Sequence, residues 1–306
     1  MNARTRKQLL ELNRVFYEAH AEAFDRSRGT RPWPGWLRLA ALLTDSPPRS
    51  PTPPTPDPVV PRAAGSDSDS DLHACVSSRA LGAVLDIGCG NGRFACFLHE
   101  AGFVFRYTGV DANATLLDSA RRQLPEACAA TARLLRHDFL AGHIAGRLDG
   151  HLAGQRAGSH AGAPPGAELP DGPFELVVVM GVLHHVPGAE ARLALLQSAA
   201  ARLAPGGRLA LAIWRFEGDP REERKRVPFA AVGRVLGHSI DEAELEPGDA
   251  LLRFGSDPAS PPRYCHAVSA AEFESWPRAL GLECVADYEA DGPLGTSNRY
   301  AVLRRP

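Results

Sequence analysis

Val84-Leu85-Asp86-Ile87-Gly88-Cys89-Gly90-Asn91-Gly92 is an apolar run that ends in three glycines within five residues and leads straight into the amphipathic stretch Arg93–Ala101. That succession predicts a buried strand, a tight turn and a helix, with glycines where a ligand must come against the backbone. A G-x-G turn also marks dinucleotide sites, where a pyrophosphate rests on the helix N-terminus. Asp86, two residues before Gly88, changes that reading. Its carboxylate would repel pyrophosphate and attract a cationic ammonium.

Working outward, short apolar runs alternate with helical patterns. Ala83–Ile87, Tyr107–Asp111, Arg133–Asp138, Glu175–Met180 and Arg208–Trp214 are four to seven residues long, as expected of strands covered on both faces. Between them, Ala189–Leu203 places Leu193, Leu196, Ala200 and Leu203 at helical spacing. The β-α-β-α order predicts an α/β fold, a Rossmann-like, doubly wound, mainly parallel seven-stranded sheet with its crevice at the strands' carboxyl ends. Ser269 and Glu272 form a candidate capping box for a helix to Leu280, after which Glu283–Tyr288 and Arg299–Leu303 complete the sheet. At the start, Leu9, Leu12, Phe16, Ala19 and Ala23 mark one face of an amphipathic helix that packs on this domain.

Asp111 closes the second strand, where it is placed to accept hydrogen bonds from ribose hydroxyls. Asp138 ends the third, with Phe139 behind it to stack an adenine. Together these residues resemble the class I S-adenosylmethionine-dependent methyltransferases: VLDIGCGNG is the glycine motif, GVDAN carries the ribose acid and HDF the adenine contact. The resemblance covers roughly residues 83–214. It implies S-adenosyl-L-methionine as cofactor, bound by Asp86, Gly88, Cys89, Gly90, Asn91, Gly92, Asp111, Ala112, Asp138, Phe139 and Met180.

Composition bounds the remaining possibilities. With 306 residues, 44% of them hydrophobic, the chain can bury a sizeable core, and 34 Lys/Arg against 36 Asp/Glu leave a net charge of −2, which excludes a polycation as a whole. The six cysteines (75, 89, 96, 128, 265 and 284) form no C-x-x-C pair and no zinc-finger spacing, so no metal centre is expected, and scattered thiols fit a cytoplasmic protein. No apolar stretch reaches eighteen residues, and no membrane association is expected. Residues 45–73 are crowded with Pro, Ser and Asp and are read as a disordered linker between an N-terminal helical cap (1–44) and the methyltransferase domain (74–306). Residues 141–172, rich in Gly, Ala and His, are read as a surface insertion in that domain.

The acceptor is addressed by the flanks. Met180-Gly-Val-Leu-His184-His185 follows the fourth strand, where a paired histidine faces the crevice; one turn-capping and one exposed imidazole is the plainer alternative. Phe16-Tyr17, Phe24, Arg28 and Arg31-Pro-Trp33-Pro precede the domain, and Gly248-Asp249, Arg263-Tyr-Cys-His266 and Asn298-Arg-Tyr300 follow it. Taken together, these segments resemble the tRNA wobble-uridine methyltransferases that esterify 5-carboxymethyluridine, including the methyltransferase half of the AlkB-like tRNA hydroxylase fusion. The PWP segment lies one residue further from its arginine than in that family, and Gly248-Asp249 continues as Ala-Leu-Leu-Arg-Phe.

The resemblance implies tRNA, at its anticodon loop, as partner, together with a small zinc-containing activator protein, and a cytoplasmic location with a nuclear pool if the source is eukaryotic. A carboxylate acceptor is already ionised, so the site must orient an anion rather than remove a proton. Arg28 and His185 are the candidate catalytic residues, through charge-assisted bonds to that anion. Trp33, His184, Arg263 and His266 are the candidate acceptor contacts. A solvated helix-end charge is the alternative for Arg28, structural hydrogen bonds for Arg263 and His266, and core packing for Trp33. Basic residues at 1–49 and 221–226 could track phosphates or simply form solvated faces. A small-molecule O- or C-methyltransferase, and a non-catalytic cofactor-fold binding partner, are the competing functional readings.

Overall fold

The strand formed by Arg79–Ile87 (β1) is central because both of its faces are apolar: Val84 turns to one side, Leu85 and Ile87 to the other, and none of the three is exposed. The computed structural model describes residues 1–27, 29, 31–44, 79–138, 169–255, 257 and 260–306. The reading of 45–73 as a linker, most of the 141–172 insertion, Arg28 and Phe139 therefore lie outside the described residues.

The described chain begins with the helices Ala3–Ser27 (α1) and Pro34–Thr44 (α2). After β1 it alternates through Arg93–Glu100 (α3), Phe103–Asp111 (β2), Ala114–Gln123 (α4), Glu126–Ala129 (α5), Arg133–Arg136 (β3) and Phe174–Met180 (β4). A single 3₁₀ turn at Leu183–His185 leads to Ala189–Ala201 (α6), Leu203–Trp214 (β5), Pro220–Glu223 (α7), Arg226–Val227 (β6), Ala231–Leu236 (α8), Asp249–Leu252 (β7) and Arg263–His266 (β8). Ala270–Leu280 (α9), Glu283–Ala290 (β9) and Asn298–Arg304 (β10) close the fold.

The main sheet has seven strands in the order β3-β2-β1-β4-β5-β10-β9. The first five run parallel, and β10 is antiparallel to both β5 and β9. This is the doubly wound class I methyltransferase arrangement expected from the β-α-β-α pattern. One face of the sheet packs Leu85, Val177 and Leu209 on Leu195, Leu196 and Trp276; the other packs Val84, Val178 and Ala210 on Phe94, Leu98 and Trp36. Ser269 caps α9, its Oγ accepting from Glu272 N at 3.1 Å. The Glu272 carboxylate turns to Arg192 instead of closing the box. Among the described residues no helix is long and apolar enough to cross a membrane.

Several expected boundaries shift. The third strand stops at Arg136, two residues short of Asp138. In α6 the deeply buried positions are Ala191, Arg192, Ala194, Leu195, Leu196 and Ala199, so the helix is rotated from the Leu193–Ala200 face that the spacing suggested. In α1, Ala19 is exposed, because beyond Phe16 the helix leaves the core and runs over the mouth of the strands' carboxyl ends. The small antiparallel sheet β6-β7-β8 was not anticipated; it seats Leu251 and Tyr264 against Leu9 and Leu12 of α1.

The Pro-Trp-Pro-Gly segment initiates α2 with proline at its first position. Gly35 N donates to Asp291 Oδ1 at 2.9 Å, and Tyr288 OH donates to Gly35 O at 2.8 Å. A Cβ at Gly35 would stand 2.3 Å from the Tyr300 ring. Gly35→Ala is therefore expected to destabilise the fold by about 3 kcal/mol through overpacking, seen as a lowered midpoint in thermal unfolding. An unchanged midpoint would mean that α2 does not need this close approach.

Candidate active site

The turn after β1 is shaped by its neighbours. Gly88 N and Cys89 N both donate to Val110 O, at 2.8 and 3.1 Å, which draws the loop onto the end of β2. Gly88 has φ +76°, and a Cβ there would lie 2.3 Å from Val182 Cγ2. Asp111 fixes the next step: its Oδ2 accepts from Gly90 N at 2.9 Å and its Oδ1 from Asn113 N at 2.8 Å. The expected ribose acid thus also braces the glycine loop, and each oxygen keeps a second lone pair for a ligand. Burial raises its pKa, against the opposing pull of those backbone donors.

Asp86 is 2% exposed and accepts from Tyr107 OH at 2.7 Å. Burial pushes its pKa up to about 7, partly offset by the phenol and reinforced by Asp111. A buried carboxyl of this kind becomes far more comfortable as an anion once a cation lies against it.

These groups open on a cleft of about 760 Å³. Asp86, Gly88, Cys89, Gly90, Asn91, Asp111, Ala112, Asp138 and Met180 all line it, on the sheet side. Gly92 does not: a Cβ there would meet Ala120, so this glycine serves the close approach of α3 to α4. Phe139 lies outside the described residues. The donor set suits S-adenosyl-L-methionine, with a buried acid for an ammonium, a half-satisfied acid at the end of β2 for a diol, and Asp138 beyond β3.

The roof comes from the N-terminal helix, part of the cap expected to carry residues on the acceptor side. Asn13, Tyr17, Phe24 and Asp25 of α1 line it. Asp25 accepts from Asn91 Nδ2, Ser119 Oγ and Gln123 Nε2, tying the helix to both the glycine loop and α4. Burial acts to raise the pKa of the Asp25 carboxyl, but these three bonds and the Arg122 charge prevail and hold it below its ordinary range. Asn113, the cap of α4, donates its Nδ2 to Tyr17 O at 3.1 Å. The signal for this role was present as a polar stripe, Asn13, Tyr17 and Asp25, running along a helix whose other face is apolar.

His185 sits at the far wall of the cleft, 7% exposed. Its Nδ1 lies 3.0 Å from Tyr264 O, and a carbonyl only accepts, so Nδ1 carries the proton. In the neutral ring Nε2 is then the acceptor, and it receives Tyr17 OH at 2.8 Å. Asn13 clamps the same corner, donating Nδ2 to His185 O at 3.3 Å and accepting Tyr264 N at 2.7 Å. His184 is not in the cleft wall; it packs between His185 and Trp214, with ring centroids 4.2 and 5.6 Å away.

Trp33 lines the cleft beside Trp36, ring centroids 5.0 Å apart. Arg263 and His266 are both buried away from it. The Arg263 guanidinium lies over Trp214 at 5.0 Å and Phe16 at 5.5 Å. His266 Nδ1 is 2.7 Å from Asp249 Oδ1, and Nε2 is 3.6 Å from Glu272 Oε2. Glu246, Asp249 and His266 bring ligand-type atoms within 4.8 Å of one another. The Arg192 guanidinium already pairs with Glu246 and Glu272 there, so a cation is supplied by the chain itself. Arg28 lies outside the described residues, directly after the end of α1.

Comparison with solved structures finds SAM-dependent methyltransferases. One from Methanosarcina mazei is 18% identical, with a TM-score of 0.46 over 73% of this chain and 92% of that one. Magnesium protoporphyrin IX methyltransferase from Synechocystis, with bound SAH, is 17% identical with a TM-score of 0.43 over 75% and 76%. The N-methyltransferase NodS from Bradyrhizobium japonicum, also with SAH, is 16% identical with a TM-score of 0.39 over 76% and 81%. A search among curated proteins finds no match. The methyltransferase-domain family model, however, matches residues 69–287, which takes in the glycine turn, the acids at the strand ends and the His185 wall, and by that match the chain belongs to the methyltransferase domain family, an S-adenosyl-L-methionine-dependent one.

Proposed function

We propose that the acceptor is the carboxylate of 5-carboxymethyluridine at the tRNA wobble position, methylated to its methyl ester. The observation that supports this most is the convergence on His185 of segments far apart in the chain. Tyr17 and Asn13 come from the N-terminal cap, Tyr264 from the Arg-Tyr-Cys-His strand β8, and His185 itself from the turn after β4. Trp33 of the Pro-Trp-Pro segment lines the same cleft. These are the segments in which the resemblance to the wobble-uridine enzymes lies.

Bound S-adenosyl-L-methionine supplies an electrophilic methyl on a sulfonium. The chain's part is to hold the acceptor in line and to exclude water, under a roof tied down by Asp25. An ionised carboxylate needs no base, which agrees with a His185 whose Nε2 is engaged by a phenol. Arg28, next after α1, remains the proposed guanidinium partner of the anion.

One observation favours a second reading. Among the described lining residues, Glu18, Asp25, Asp86, Asp111 and Asp138 stand against Arg14, Arg93 and Arg136, a balance that suits a small neutral or cationic acceptor. The test is incubation with methyl-labelled S-adenosyl-L-methionine and tRNA carrying carboxymethylated wobble uridine. Label on that nucleoside, released by mild alkali, is the expected result. Binding of the cofactor with unlabelled tRNA, followed by turnover of a small acceptor, selects the second reading. The same proposal includes the small zinc-containing activator protein and a cytoplasmic location, checked by affinity capture and by cell fractionation.

A further inference from the structure

We infer that Tyr17 is an acceptor-binding residue and that, with His185, it forms a two-donor clamp for a carboxylate. The inference rests on the carboxylate reading above and adds to it the groups that would hold the anion. Tyr17 is bonded at both ends. Its backbone carbonyl takes Asn113 Nδ2, on the side of the glycine loop, and its hydroxyl reaches His185 Nε2, on the far wall. The Tyr17 residue therefore links the Asp111–Asn113 corner of the cleft to the imidazole on its far wall.

The hydrogen-bond directions give the clamp its chemistry. Tyr264 O fixes a proton on Nδ1, so in the neutral ring Nε2 can only accept, and Tyr17 OH is the donor it accepts from. A neutral His185 offers an anion nothing but a lone pair. When a carboxylate enters, Tyr17 keeps its proton and turns its O–H from Nε2 to one carboxylate oxygen, a charge-assisted bond. Nε2 takes one proton from solvent and donates it to the second oxygen, while Nδ1–H stays on Tyr264 O. No bond of the acceptor breaks in this step, and the charge of the anion is matched by the imidazolium. Among the described residues, the groups facing the ring include Tyr17 from α1, Cys265 Sγ from β8 at 3.8 Å from Nδ1, and His184 on its own turn.

Two consequences follow: acceptor binding is accompanied by uptake of one proton, and it weakens as pH rises. Tyr17→Phe removes only the hydroxyl and leaves the ring edge-on to Phe16 and Phe24. For this variant, affinity for the free nucleoside 5-carboxymethyluridine, measured in the presence of S-adenosylhomocysteine, is expected to fall about 10- to 100-fold. The dissociation constant of S-adenosyl-L-methionine is expected to stay within about twofold. In wild type, ¹⁵N spectra of histidine should show Nε2 of His185 becoming protonated on adding the acid and not on adding its neutral amide.

Unchanged affinity in Tyr17→Phe, binding of the acid with no change at Nε2, or failure of wild type to bind the acid would overturn the clamp. The outcomes separate the two proposals. Label on tRNA with wild-type efficiency in Tyr17→Phe leaves the tRNA reading standing and removes the clamp. Binding of the acid with the imidazolium signature, but no labelled tRNA, keeps the clamp and removes the tRNA reading.

Discussion

Asp86→Asn is expected to lose S-adenosyl-L-methionine binding by at least about a hundredfold in calorimetry, and at the same time to make the ligand-free protein more stable at pH 8. Both effects come from one buried carboxyl whose pKa is pushed up to about 7, from an ordinary 3.8, chiefly by burial. Between those two values the folded chain holds a proton that the unfolded chain has released. Stability therefore falls as pH rises from about 4 to 7 and levels off above it, where the native state must carry the buried anion. Asparagine has the same shape, still accepts from Tyr107 OH, and carries no charge to bury. Burying the anion above pH 7 sets a ceiling of about 4 kcal/mol, and a gain of about 2 kcal/mol is the expected size after relaxation.

The lost ammonium contact accounts for the other half. In wild type the ionised form is the one that holds a cation, so cofactor affinity should rise with pH through about 7, a dependence that Asp86→Asn should not show. If the variant binds the cofactor as wild type does, the acid inside the first strand is a structural residue only.

Arg192→Ala is expected to carry the largest loss of stability, about 3–5 kcal/mol, or a fall in the unfolding midpoint on the order of 10 °C. Arg192 is 1% exposed and holds three partners at once through four hydrogen bonds. Nε and Nη2 bind Glu272 at 2.7 and 3.0 Å, Nη2 also binds Glu246 at 2.8 Å, and Nη1 donates to Val186 O at 3.0 Å. Alanine would leave two carboxylates with His266 as the remaining cation of the cluster. Glu272 reports the coupling: burial alone would raise its pKa, but the bonds from His266 and Arg192 prevail and hold it at about 2. Burial would likewise lower His266, yet its bonds to Asp249 and Glu272 raise it above 6.5.

The signs of these shifts define a pH window. The Glu272 contribution is present above about 4.5 and is lost as pH falls toward 2. The His266 contribution is present below about 6.5 and is lost as pH rises through its raised value. Wild-type stability should accordingly gain most from this cluster between about pH 4.5 and 6.5, and Arg192→Ala should flatten the acid limb, as measured by thermal unfolding across pH. A variant that unfolds like wild type would show that Arg192 is replaceable by water.

The fate of the histidines shows how far a linear reading reached. His184 and His185 are adjacent in sequence and equivalent as motif letters. A 3₁₀ turn sends one imidazole into the cleft wall and the other toward Trp214, a choice made by packing on β8 and β5 that no spacing announces. Arg263 and His266 likewise read as acceptor contacts because of the resemblance of their Arg-Tyr-Cys-His segment. Strand pairing with β7 buries them, and their partners, Trp214, Asp249 and Glu272, come from segments the alternation did not connect. Asn13 and Asp25 escaped notice for the opposite reason: a polar residue on an amphipathic helix is usually solvated, and only the crossing of α1 over the strand ends makes these two part of the cleft.

Local chemistry fixed what depends on neighbours in the chain. Three glycines after an apolar strand, an acid inside that strand, acids near the ends of the next two, and alternating strand and helix periods were enough to determine the doubly wound sheet, the glycine turn and the cofactor class. These features are set by backbone geometry and by hydrophobic period, both of which are short-range. The tertiary structure alone decided how the wall around His185 is put together. It is assembled from residues 13, 17, 185 and 264, up to 251 positions apart, and its decisive property, which nitrogen of His185 carries the proton, follows from a carbonyl on another strand. Hydrogen-bond direction at a buried ring is a property of the packed molecule, because the partners that impose it meet only when the chain has folded.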